Sequence, residues 1–288
     1  MARVTATGGT VDAAVGELWA MSTIDETEKS LVFAKTFNRQ YEAELKKRRG
    51  DTVHVTSVTH PNSGTARTLT IAGSGTLTYD APTETNMSLV VDTHAYSGVE
   101  IDTEVDVLSH IDWMAKYAPM VGYNVALKID SDLAGTVDEW FNSVGTLAVD
   151  LTDQDIIDGL NYLDNNSVPR DRVGVFSPKQ KNYFLLQDRY VNRDYKDTLG
   201  SADPKAAPGT KFYDGMGFPW YWSENVEGSD AAGHDNGLFN KEVVAVAIVA
   251  QYTKDMYDID DDAMKYAAHA IYGFLEFRDT FGVYMKGL

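Results

Sequence analysis

The sequence predicts an α+β protein in which helix-forming and strand-forming stretches occupy largely separate parts of the chain. Three observations carry this. Apolar residues recur at spacings of three and four across 24–49 and 102–141, the pattern of helices with one buried stripe. Residues 51–101 alternate β-formers with polar residues around turn chemistry. From 150 to 260 the two patterns interleave in short pieces, and 271–286 returns to alternation.

Each element has a local reason. Ser22 and Thr23 offer N-caps to a helix over 24–49, with Asp25, Glu26 and Glu28 in its first turn and Leu31, Ala34, Phe37, Tyr41 and Leu45 as its stripe. Lys46-Lys47-Arg48-Arg49 before Gly50 offsets the dipole at its end. The pieces TVHVTSV, RTLTI, GTLTY and MSLVVDTHAY then read as strands of long hairpins. Eleven Thr and few large aliphatics in 51–101 leave these hairpins little core of their own. They either fold back on the body or project and are held by neighbours.

Asp102, Thr103 and Glu104 open the next helical region, with Leu108, Ile111, Ala115 and Ala118 on one side. Pro119 should kink or split it. Beyond it Val121, Val125, Ile129, Leu133 and Val137 form a buried stripe opposite Lys128, Asp130 and Asp138, with Trp140 and Phe141 following. Thr152 caps a helix through Ile156, Ile157, Leu160 and Leu163 that ends at Asn165-Asn166. A short strand at Arg172–Phe176, a helix started by Ser177-Pro178, a polar loop over 192–211, the aromatic run Phe218–Trp222 and a strand at Val243–Val249 complete this block. No repeat or low-complexity linker marks a sharp domain boundary.

Composition excludes several classes. The 288 residues are 43% hydrophobic, enough for a sizeable core. Forty-three Asp+Glu against 25 Lys+Arg give a net charge of −18, which argues against a dedicated binder of nucleic acid or anionic membrane. Residues 1–50 hold eight Lys/Arg and seven Asp/Glu, so the acidity belongs to the rest of the chain. Such an arm on a negative body also suits attraction between copies. Cys is absent, which removes disulfides and thiolate chemistry. The first twenty residues lack an apolar targeting segment, and the longest apolar stretch, 243–250, is far too short to span a bilayer. The expectation is a soluble protein with no membrane partner.

Reactive motifs are missing. Gly73-Ser74-Gly75-Thr76 lacks the ending of a phosphate loop and reads as a turn. Calcium-loop readings from Asp130 and from Asp258 both fail at ligand positions, and Asp258, Asp260, Asp261 and Asp262 read as a solvated acidic turn. His54, His60, His94, His110, His234 and His269 show no paired ligand spacing and read as surface or strand residues. No GxSxG elbow exists. The Phe218–Trp222 cluster reads as core or interface, with sugar or base binding as the other reading.

The order of elements says more than any motif. LVFAKTFNRQYEAELKKRRGDTVHV (31–55), DTEVDVLSHIDWMAKYAPMVGYNVALKIDSDL (102–133), RDRVGVFSPKQKNYFLL (170–186), YDGMGFPWYWSENV (213–226) and the closing GVYMKGL follow one another as do corresponding pieces of a known family. Across essentially its whole length the chain resembles the major capsid protein of tailed bacteriophages, with the Hong Kong 97 type fold.

The resemblance implies an N-terminal arm (1–50), an extended loop (51–101), a peripheral domain with the spine helix (102–150), a mixed α/β axial domain (151–250) and a return to the axial and peripheral domains (251–288). It implies a structural subunit and no enzyme, with no catalytic, cofactor-binding or metal residues. Its partner would be itself, in hexamers and pentamers that form an icosahedral head around double-stranded DNA touched only non-specifically. A separate scaffolding protein, portal and decoration proteins are further implied partners. Assembly would occur in the host cytoplasm and the product would reside in the virion. In some relatives a Lys of the extended loop is crosslinked to an Asn of a neighbour; residues 51–101 here contain no Lys, so no such crosslink is expected. With fifty residues before the loop, a large fused scaffolding domain is not expected, and the expectation is a separate scaffolding protein or none. Two other functions remain open: an encapsulin-like nanocompartment shell, and a monomeric acidic hydrolase or carbohydrate-binding protein using Trp220 and Trp222.

Overall fold

The stripe Val121-Val125-Ile129-Leu133 is buried along one side of a 22-residue helix, Trp113–Ala134, which lies on a three-stranded antiparallel sheet. In the computed structural model the described residues are 32–48, 51–58, 66–68, 79, 81, 84–104, 113–191, 211–229 and 231–288. Their helices are α1 (Phe33–Thr36), α2 (Glu42–Arg48), α3 (Trp113–Ala134), α4 (Asp153–Asn165), α5 (Pro178–Leu186) and α6 (Asp188–Val191). The strands are β1 (Thr52–Val58), β2 (Glu84–Val90), β3 (Thr93–Asp102), β4 (Asn142–Gly145), β5 (Arg172–Phe176), β6 (Lys211–Gly215), β7 (Phe218–Trp222), β8 (Gly228–Ser229), β9 (Gly233–Asn240), β10 (Val244–Asp258), β11 (Ala263–Glu276) and β12 (Gly282–Gly287).

They form three sheets. The ribbon β1-β2 stands by itself, the long sheet has the order β10-β11-β3, and a mixed sheet runs β4-β12-β9-β5-β7-β6 with β8 on β9. Helix α3 covers one face of β3 and β11, and α4 packs on β12 and β4. The mixed sheet is built around Trp220, which is fully buried among the rings of Phe176, Phe184, Tyr190 and Tyr213 at centroid distances of 4.7–5.7 Å.

Several elements form where local chemistry places them. Thr152 closes a capping box with Asp155 at the start of α4, and Ser177 caps α5 by accepting the Gln180 N–H. The Arg172–Phe176 strand is as expected. The strand expected at 243–249 extends to Asp258, because its pairing with β11 continues past a bulge between Ile248 and Ala250. A 3₁₀ turn at Asp279–Phe281 divides the closing alternation into β11 and β12.

Four expectations change. The helix over 24–49 is broken within its described part: the backbone of Asn38 bridges to Ala245 beside β10, donating to the Val244 carbonyl and accepting from the Val246 N–H. A sheet edge thus claims the amide and carbonyl that a continuous helix would need. Pro119 lies inside α3 without splitting it, since packing of Ala118, Val121 and Val125 outweighs the lost N–H. That helix ends at Ala134 and not near 141, with Gly135 following; Val137 and Trp140 are buried in the turns beyond, while Phe141 is 73% exposed. Asp130, expected on the solvent side, is completely buried. Residues 24–31, the RTLTI and GTLTY pieces apart from Arg67, Thr68 and Tyr79, the Gly73–Thr76 turn and most of the 192–211 loop lie outside the described residues.

Candidate assembly surfaces

Strand β2 of the ribbon β1-β2 is largely exposed on both faces. The pairing runs Thr52↔Val90 to Val58↔Glu84, and of β2 only Leu89 is buried, while Glu84, Thr85, Asn86, Ser88 and Val90 are exposed. Its root sits on a small separate cluster, where Leu89 meets Leu45 of α2 and Ala245 and Ala247 of β10. Gly273 of β11 admits that root: a Cβ there would stand 2.1 Å from the Val90 carbonyl oxygen. Farther out, His54 and Ser88 meet across the strands at 2.8 Å, and among the described residues no third strand covers either edge. Unpaired strand edges are templates for another chain.

The long sheet offers a second surface. Its side away from α3 bears an open groove of about 550 Å³ lined by Tyr96, Gly98, Glu100, Lys254, Met256 and His269. At one end the β10–β11 turn presents Met256, Tyr257 and Ile259, the last 82% exposed. Lys265 is held there by Asp258 and Asp261 at 2.8 and 2.7 Å, so the acidic turn is an internally paired hairpin end. Those carboxylates raise the proton affinity of the ammonium, and Lys265 in turn pulls the pKa of Asp258 below the ordinary carboxylate value.

A buried junction is centred on Asp130 of α3. Its Oδ1 accepts the backbone N–H groups of Val32 and Phe33 at 2.9 and 2.8 Å, and its Oδ2 accepts the Asn225 side-chain amide at 2.7 Å. Val32 precedes α1 with no side-chain cap of its own, so a carboxylate from α3 satisfies the open donors there. Burial raises the Asp130 pKa, and the hydrogen bonds from Asn225 and the backbone only partly offset that.

A further acidic group sits where β11 leads to β12. Burial and the neighbouring carboxylates of Asp279 and Glu139 push the Glu276 pKa up to about 7. Asp279 also accepts the Phe141 backbone N–H. A folded-state pKa above the ordinary 4.5 gives a stability contribution that is full below 4.5 and lost as pH rises through about 7. Glu276→Gln is therefore expected to flatten the fall in stability between about pH 5 and pH 8. Urea denaturation at a series of pH values checks this, and an unchanged slope contradicts it.

The residues considered from sequence fall out as follows. Phe218 and Trp220 are core, and Trp222 is covered by the Lys181 ammonium 4.0 Å from its ring centroid, so Trp220 and Trp222 offer no open platform for sugar. His94 and His269 meet across β3 and β11, a pairing invisible in linear spacing. His54 is exposed, His234 is half-buried, and His60 and His110 lie outside the described residues. Among the described residues no group of three or more His, Asp or Glu is arranged to hold a metal, and no helix is long and apolar enough to cross a membrane. The one sequence signal of the Asp130 junction is an acid directly beside the apolar stripe of a helix, and linear spacing alone assigns it to the polar side.

No protein-family model matches the sequence, and no curated protein matches it. Solved structures do. A structure from Mycobacterium phage Che8 superposes with a TM-score of 0.71 at 21% identity, covering 89% of this chain and 91% of that one. The capsid structure of cyanophage P-SCSP1u gives 0.63 at 14% identity, with 82% and 83% covered. A virus-like particle from Pyrococcus furiosus gives 0.60 at 11% identity, with 94% and 99% covered. At such identities the likeness speaks for architecture, and with its long helix on a long sheet, its two-stranded ribbon and its mixed sheet, this chain has the Hong Kong 97 type capsid fold.

Proposed function

We propose that this chain is the major capsid protein of a tailed phage, a subunit that assembles with copies of itself into the hexamers and pentamers of an icosahedral head. The observation that carries this is the β1-β2 ribbon: among the described residues it has two strands, with β2 largely exposed on both faces, an arrangement marginal in water by itself, and it belongs to a fold shared with capsid structures. Symmetric copies supply the missing partner surface. In this reading 32–48 belongs to the arm, the ribbon to the extended loop, α3 with the long sheet to the peripheral domain, and the mixed sheet with α4 and α5 to the axial domain. Strand β4, paired with β12, goes with the axial sheet.

The role is structural and not enzymatic. The head would form in the host cytoplasm, enclose double-stranded DNA, and draw on separate scaffolding, portal and decoration proteins. A net charge of −18 suits a wall along which DNA must slide without sticking. The likeness to the Pyrococcus furiosus particle favours one second reading, an encapsulin-like compartment. Negative-stain microscopy of the expressed protein tests both: closed shells support a shell subunit, and a monomer under all assembly conditions removes it. Nuclease-protected DNA in native particles separates the phage head from the protein-cargo compartment.

Because 51–101 holds no Lys, mature particles are expected to run as monomers on a denaturing gel. A covalent ladder mapped to that segment contradicts this.

A further inference from the structure

The antiparallel register of β3 and β11 sets Ile271 opposite His94 and Tyr96 opposite His269, so the two imidazoles lie diagonally on the side of the sheet away from α3. Diagonal positions on one face are within reach of long or aromatic side chains. Here the reach is complete: His94 Nε2 and His269 Nδ1 face one another at 3.2 Å. The rings are held by neighbours. Tyr252 stacks on His269 with centroids 4.9 Å apart and 19° between planes, and Tyr96 stacks on it at 6.1 Å.

We propose that His94 and His269 chelate one divalent transition-metal ion of the zinc, copper or nickel type. Zinc–imidazole bonds are about 2.0–2.1 Å long, so nitrogens separated by the observed distance subtend about 100° at a shared ion, close to a tetrahedral angle. Imidazole nitrogen suits these ions, whereas magnesium and calcium prefer oxygen. Ligation needs unprotonated nitrogens. The open groove beside His269 leaves room for water at the remaining coordination positions.

In the metal-free pair one ring donates its N–H to the other. Binding moves that proton through solvent to the far nitrogen of the same ring, so two neutral imidazoles take up the ion without net proton release. The inference concerns residues within one chain and stands whether or not the shell reading does.

Calorimetric titration of chelator-treated full-length protein with zinc chloride near neutral pH tests it. One ion per chain is expected, with affinity reduced at least tenfold in His94→Ala and again in His269→Ala. His54→Ala is expected to leave binding unchanged, and magnesium chloride to give no binding heat. Circular dichroism must match the parent protein; should an Ala variant misfold, His94→Gln and His269→Gln, which keep a polar side chain, take its place. Absent zinc binding overturns the proposal. So does binding that survives both substitutions, or that depends on only one of the two histidines.

Discussion

Asp130→Ala is expected to destabilise the folded subunit by about 3–5 kcal/mol, because it strips the acceptor from several buried donors at once. The Val32 and Phe33 amides and the Asn225 side chain all converge on this carboxylate inside a region with no exposed surface at Asp130. Water can re-solvate some of them only by opening the junction, which would free the segment before α1. Asp130→Asn provides the discriminating comparison. Its oxygen can still accept the two backbone N–H groups, while the Asn225 amide rotates to present its own oxygen to the new NH₂. The expected loss is about 1–2 kcal/mol. Denaturant titration of unassembled subunits measures both, and limited proteolysis near Val32 should be faster in the Ala variant alone. Equal losses in the two variants would mean that charge, and not hydrogen bonding, holds the segment.

The sign of the pH effect follows from burial. Since the folded-state pKa of Asp130 lies above the ordinary carboxylate value, the native state binds this proton more tightly than the unfolded chain does. Its contribution is greatest below the unfolded pKa and declines as pH rises through the folded one. The Asn variant should lack that component.

In the proposed shell, Gly273→Ala is expected to abolish assembly while leaving the mixed-sheet core folded. The new Cβ would meet the Val90 carbonyl oxygen at 2.1 Å and the Val91 Cα at 2.8 Å, both backbone atoms that no rotamer change can move. The ribbon root must then lift from β11, separating Leu89 from Leu45, Ala245 and Ala247. Overpacking of this kind costs about 1–3 kcal/mol, tolerable for a subunit with an intact aromatic core. The direction in which the ribbon projects would change, and every copy in a symmetric shell would carry the same error. Sedimentation and microscopy read the assembly, and near-ultraviolet circular dichroism reads the environment of Trp220. Normal shells from this variant would show that the seating of the ribbon root does not guide assembly.

Local chemistry made much of the fold legible. The Thr152 and Ser177 caps placed α4 and α5, the Val121-to-Leu133 stripe identified the buried side of α3, and β-branched alternation marked β1 and β5. These features depend on contacts within a few residues, which linear spacing encodes directly. The likeness in element order reached the fold for the same reason, since order survives when residue identity does not.

What the tertiary structure alone decided are the long-range meetings. Asn38 leaves its helix because the edge strand β10 lies next to it; Pro119 is tolerated because packing of α3 outweighs one missing hydrogen bond; and Asp130 is buried because Val32, Phe33 and Asn225 close over it. His94 finds His269 only through strand register. In each case the partners are tens to well over a hundred residues apart, so no local propensity reports them. The sequence by itself determined where locally capped helices such as α4 and α5 and strands such as β1 and β5 form, and which side of α3 carries the apolar stripe. The three-dimensional packing decided which polar groups were drawn inside, because a buried donor or acceptor is stable only where the rest of the chain brings it a partner.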